Sequence, residues 1–154
     1  MSIHPKLVMV PNPLLREKCA EVLEPCEQID ELVGTMKEVI IACRQFGIDT
    51  VSIAAPQVGV KLRVFIIDSP AIQMVAINPI ITKRAGEQKI REGCLSFPRS
   101  THYLMTRANI VKFRYTDEYG FTHTQKFHDL YAAIVQHEID HLNGILMDDD
   151  GIPV

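Results

Sequence analysis

Residues 129–142 read DLYAAIVQHEIDHL, and this stretch decides the architecture. It predicts a helix over Asp129–Leu142, with Asp129 as N-cap and the Asn143-Gly144 pair as its stop. Within it, residues 137–141 form an HExxH motif, HEIDH. Two imidazoles four positions apart stand one above the other on a helical face, so His137 and His141 can reach one ion. Leu130 and Ile134 fall on the same face one and two turns earlier, which predicts that the imidazoles point into the core. Glu138 lies beside that face and is the candidate general base.

Working outward, Ile29, Leu32, Val33, Met36, Val39, Ile40 and Cys43 recur at helical spacing and predict a helix over Gln28–Phe46, ended by Gly47. Between the two helices lie strand-like runs at Arg63–Ile67, Met74–Asn78, Asn109–Thr116 and Phe121–Phe127, the last two joined as a hairpin through Asp117–Gly120. Helices at both ends of a strand-rich middle place the chain in the α+β class. No repeat, linker or low-complexity tract divides it, so residues 1–154 are expected to form a single catalytic domain.

Composition narrows the function classes. A net charge of −3 leaves no basic field for a phosphate backbone, which excludes nucleic acid as the expected partner. The N-terminal MSIHPKLVMVPNP is too short in apolar run and too broken by proline for a signal peptide or a membrane span. Cys19, Cys26, Cys43 and Cys94 show no tight repeated spacing, so no disulfide framework is expected and the reading is a reducing, cytoplasmic compartment.

A catalytic zinc-type site takes three protein ligands and keeps one position open. HEIDH supplies two. A downstream Glu, the thermolysin-like plan, is absent, because no Glu follows Glu138. The metzincin plan wants a His at position 147, which is Met147. The terminal acids Asp148–Asp150 could serve only if the terminus folded straight back on the helix, so the third ligand is sought upstream. There, residues 92–96 read EGCLS and set Cys94 beside Gly93, where backbone can approach another group closely and a thiolate suits a soft or borderline cation. Cys43 belongs to the apolar stripe of the first helix, and Cys19 and Cys26 have no site context. A third segment, residues 53–60, reads IAAPQVGV. Its Gln57 reads equally as a turn amide satisfying local backbone or as a neutral donor for a developing oxyanion.

Taken in order, these segments resemble the signatures of the peptide deformylase family, GxGxAAPQ, EGCLS and QHExDH, over nearly the whole chain, with QHEIDH at Gln136–His141. The resemblance implies a peptide-deformylase-like fold with antiparallel or mixed sheets around a central metal-binding helix. It implies that Cys94, His137 and His141 bind one divalent metal, Fe(II) as the usual working metal with Zn, Ni or Co as substitutes. It also implies that Glu138 moves the proton, and that the Gln57 amide and the Leu95 backbone N–H receive the oxyanion. The reaction implied is removal of the N-formyl group from the N-terminal formyl-methionine of nascent polypeptides, releasing formate. The partners are then N-formyl-methionyl peptides, with no membrane. The family's strand against the substrate backbone falls here on Ser52 and Ile53, with Gly93 beside the cysteine.

The chain departs from the pattern at Thr50 and Ser52, which replace both signature glycines. A side chain at Ser52 is expected to alter substrate affinity. Residues 98–107, PRSTHYLMTR, read as a loop longer than in many relatives, and the family's ion pair from the EGCLS glutamate joins Glu92 to Arg107. The sequence ends at Val154 without the extension some bacterial relatives use on the ribosome, so ribosome docking is not assumed. Two alternatives follow: a deformylase-like hydrolase of altered substrate range, or a non-catalytic metal- or peptide-binding relative.

Overall fold

The computed structural model describes residues 3–24 and 27–154, so Cys26 lies outside the described residues. Helix α1 covers Glu27–Gln45, and its seven periodic apolar residues are the ones it buries. It stops where Gly47 takes φ 76°, a left-handed turn that costs glycine nothing.

After α1 come β1 (Ser52–Ala54), a 3-10 turn (Ala55–Val58), β2 (Val64–Asp68), β3 (Gln73–Ala85), β4 (Gln88–Glu92), β5 (Tyr103–Arg107), β6 (Ile110–Thr116) and β7 (Thr122–His128). Helix α2 (Asp129–Leu142), a one-turn helix α3 (Met147–Asp150) and β8 (Ile152–Pro153) complete the order. One sheet runs β1-β2-β3-β6-β7 and a smaller one β4-β5-β8. Every pairing between these strands is antiparallel.

Side-chain alternation along β1, β2 and β3 feeds two cores. Ile53, Val64, Ile66, Val75 and Ile77 pack against α1. Ala54, Phe65, Ile67 and Ala76 point the other way, where Phe113 and Tyr115 of β6 join Ala132, Val135 and Ile139 of α2. The larger sheet is therefore sandwiched between the helices, and α2 also touches β5 of the smaller sheet. This is the α+β arrangement around a central helix that the sequence implied.

Three local differences have physical reasons. Strand β3 runs on to Ala85, past the proline at 79, because a bulge absorbs it: the register with β6 shifts between Ile77 and Ile80, and Asn78 takes φ 51°. The Asn78 amide holds that bend by bonding both Val22 N–H and Val22 C=O. Residues 103–107, expected as loop, form β5, where Met105 and Arg107 turn inward and Thr106 outward. Asp129 is not the cap of α2; His128 occupies that position, no side chain caps it, and Asp129 sits at φ 52° with its N–H on the Asn109 carbonyl.

Candidate metal centre

Four residues apart on α2, His137 and His141 present rings whose centroids are 4.9 Å apart. Cys94 comes from the turn after β4. Its Sγ lies 3.4 Å from His141 Nε2, and one donor atom from each of Cys94, His137 and His141 lies within 4.8 Å of the others. Ligands at about 2.3 Å for sulfur and 2.1 Å for nitrogen, set tetrahedrally, stand roughly 3.5 Å apart, so the trio fits one ion. Among the described residues no other group of His, Cys, Asp and Glu gathers this way. Asp148 and Asp149 instead pair with Arg16, and Cys19 and Cys43 are buried free thiols.

The environment differs around each imidazole. His137 Nδ1 is 2.8 Å from Glu92 Oε1, which leaves its Nε2 for the centre. Burial lowers the His137 pKa, but hydrogen bonds with Cys94 and Glu92 raise it well above the usual value. For His141 burial dominates, with His137 adding to it, and holds the ring well below its usual pKa in the neutral form a metal requires. Its Nδ1 makes no hydrogen bond.

Glu138 is 1% exposed, and its Oε2 has no partner. A buried carboxylate oxygen left unpaired is costly, so Glu138 Oε2 opposes folding rather than supporting it. Burial pushes the Glu138 carboxyl up to about 7, against the pull of His137 and a hydrogen bond from Ser52. A base tuned near neutrality is the useful one at neutral pH.

Gln57 fills the first of the two readings its sequence left open, a turn amide satisfying local backbone. Its Oε1 accepts the Ala54 N–H at 2.9 Å, holding the 3-10 turn. Its Nε2 donates to Ser96 Oγ at 3.1 Å and reaches Cys94 Sγ at 3.6 Å, so the amide is aimed at the centre.

A cavity of about 340 Å³ opens over these groups, lined by Ser52, Gln57, Cys94, Leu95, His137 and Glu138 among others, with Gly93 at its edge. Leu130 and Ile134 line it too, and Leu130 is 56% exposed. The imidazoles on that face are nonetheless turned inward as expected, His141 at 2% exposure and Ile134 packed on the second core, while Leu130 at its start opens onto the cleft. Ile53 is fully buried against α1, so only its backbone can meet a ligand. Residues 49–52, leading into β1, form one bank and residues 90–95, from β4 onward, the other. Both β1 and β4 are outer strands of their sheets, so two unpaired edges border the cleft.

Every candidate residue except Ile53 lines the cavity or, like His141, adjoins Cys94, and two further residues tie the centre together. Glu92, expected only as a partner of Arg107, also holds His137. Gln136 bonds Ala108 N–H and C=O and so pins the end of β5 to α2. Its place directly before HEIDH was the available signal.

Comparison with known proteins matches the Polypeptide deformylase family over residues 5–152. The chain is 42% identical over 137 residues to a peptide deformylase of Clostridium botulinum, covering 88% of each. It is 36% identical over 143 residues to one of Dictyoglomus thermophilum, covering 93% of this chain and 90% of the relative. A crystal structure of a peptide deformylase from Legionella pneumophila superposes with a TM-score of 0.86 at 33% identity, covering 94% of this chain and 84% of that one. The enzyme of the Vibrio parahaemolyticus bacteriophage VP16T, solved in complex with actinonin, superposes at 0.82 with 33% identity, covering 92% and 98%.

Proposed function

Because this chain belongs to the peptide deformylase family of metal-dependent hydrolases, we propose that it removes the N-formyl group from the formyl-methionine of nascent polypeptides, as a single catalytic domain over residues 1–154. The observation that carries the site assignment is the convergence of Cys94, His137 and His141 beside the buried Glu138 carboxyl, whose Oε2 has no partner.

In this reading Cys94, His137 and His141 hold one divalent ion, which supplies Lewis acidity and makes a water easier to deprotonate. Glu138 accepts the proton of the attacking water and returns it to the departing α-amine as the C–N bond breaks, and formate leaves. The Gln57 amide and the Leu95 N–H face the oxygen that gains charge. Because Gln57 is held by Ala54 and Ser96, its donor needs no reorganisation during the reaction. The substrate backbone adds to the free edge of β1 with β4 on its other side, an extended strand read through main-chain groups. Ser52, Ile53 and Gly93 meet it there, and the methionine side chain lies against Leu130 and Ile134.

A thiolate ligand with two imidazoles moderates the ion's acidity and suits Fe(II), with Zn, Ni or Co as working substitutes. The free thiols Cys19, Cys43 and Cys94 fit a cytoplasmic setting. A net charge of −3 offers a polyanion no field, so the formylated peptide is the partner assigned.

The test is anaerobic purification followed by metal content and formate release from formyl-Met-Ala-Ser on the same sample. Formate production that tracks bound metal is expected. A fully metal-loaded protein that releases no formate from this peptide defeats the proposal.

A further inference from the structure

Asp140, fourth residue of HEIDH, has no role in the chemistry above and reads in the sequence as a solvated charge. In the structure it closes a ring of side chains. Its Oδ2 accepts Arg107 Nη1 at 2.6 Å. Arg107 turns its remaining face to Glu92 as a fork, Nε to Oε2 and Nη2 to Oε1, each at 2.8 Å. Glu92 Oε1 also faces His137 Nδ1 at 2.8 Å. The ring begins and ends on α2, three residues apart, and passes through the last residues of β4 and β5. Arg107 and Glu92 are buried, at 8% and 9% exposure, so water screens their charges little.

We propose that Asp140 is a positioning residue for the metal ligand His137, acting through Arg107 and Glu92. Two effects follow from the geometry. A guanidinium is a planar fork, so gripping Nη1 fixes its plane and with it the orientation of the Glu92 carboxylate. Glu92 lies two residues before Cys94, so the same grip sets how the thiolate approaches the helix. The second effect is charge. Arg107 alone would neutralise Glu92 and weaken it as an acceptor. Asp140 offsets the guanidinium and leaves the trio one negative charge in excess. Glu92 then remains a strong acceptor for the Nδ1 proton, and the imidazole keeps more electron density at the nitrogen facing the ion.

The inference rests on reading Cys94, His137 and His141 as the ligands. Zn(II) affinity is measured in chelator-buffered titrations for the wild type, Asp140→Asn, Asp140→Glu, Glu92→Gln and the Asp140→Asn/Glu92→Gln double variant, with metal-free melting curves alongside. Asp140→Asn is expected to bind Zn(II) about 10- to 100-fold more weakly without losing its cooperative metal-free melt, a loss that outer partners of ligands produce. Asp140→Glu should recover most of it. The double variant should bind no worse than Glu92→Gln, since both changes break one chain of contacts. Wild-type affinity in Asp140→Asn, or losses that multiply in the double variant, would overturn the proposal. If Asp140→Asn does not fold, Asp140→Ser, smaller and also neutral, gives the same reading. Cys94→Ala is the control: if it leaves Zn(II) affinity unchanged, the ligand assignment itself is wrong, whatever Asp140 does.

Discussion

Helices α1 and α2 lie on opposite faces of one sheet and are buried for opposite reasons. Every residue α1 buries is apolar. Helix α2 buries Ala132, Val135 and Leu142, but also Gln136, Glu138 and His141. The first is the product of a hydrophobic stripe seeking a core. The second carries polar atoms into the interior where two of them, Glu138 Oε2 and His141 Nδ1, find no partner. Such groups oppose folding, so the stability that holds them in place must come from elsewhere, and α1 with its face of the sheet is one source. Stability and chemistry are thus divided between the two helices.

The sharpest way to break that division is Glu138→Ala. Formate release should fall by about 10²–10⁴-fold, the usual worth of a positioned proton-transfer group, while metal content holds and the melting temperature does not fall. A variant that loses its metal or unfolds would place Glu138 in the stabilising half. The converse is Met36→Ala, at a fully buried position of α1. It should cost about 2–5 kcal/mol in urea unfolding and leave kcat of the folded enzyme unchanged. A changed kcat would mean that the helices are mechanically coupled.

A pH series sharpens the boundary between the halves, because Glu92 serves both. Burial pushes its carboxyl up, but hydrogen bonds from Arg107 and His137 win and hold it at about 2, below the ordinary 4.5. A folded pKa depressed in this way contributes stability that is complete above pH 4.5 and disappears as the pH falls from there toward 2. The amount is roughly 3 kcal/mol at about 1.4 kcal/mol per pH unit. Unfolding midpoints of the metal-free protein should show that acid-side slope, and Glu92→Gln should flatten it. An unchanged slope in the variant would assign the acid sensitivity to other carboxylates.

The smallest expected effect is at Ser52, on the strand between the helices. Its side chain lines the cleft beside Glu138 and helps hold that carboxyl's pKa down. A polar interaction of this kind is worth about 1 kcal/mol, so Ser52→Gly should change kcat/KM for formyl-Met-Ala-Ser by roughly fivefold. Unchanged kcat and KM would make Ser52 a passive replacement of the family glycine.

Much of this division was legible in the chain. The α1 stripe and the HEIDH spacing are periodic signals within single helices, and the structure keeps both with their boundaries nearly intact. What was not legible depends on contacts between distant segments. That Leu130 would open onto a cleft depends on the segment 90–95 lying across from α2, a matter of tertiary packing. Strands β4 and β5 were missed because QKIRE and YLMTR carry charge where an apolar alternation would announce a strand. Glu92 was expected to pair with Arg107, but the further links to Asp140 and His137 were not legible because nothing local reveals that Arg107 will be buried between two acids.

The two unpaired strand edges that border the cleft have a consequence for timing. On the proposed reading, a formylated terminus zips between β1 and β4 only while its first few residues are straight and their amides unclaimed. Once those residues coil into a helix or dock on their own domain, the terminus is invisible to this groove. Deformylation is then a race against the client's own folding, won early in synthesis or not at all, and slow-folding clients would be processed most completely.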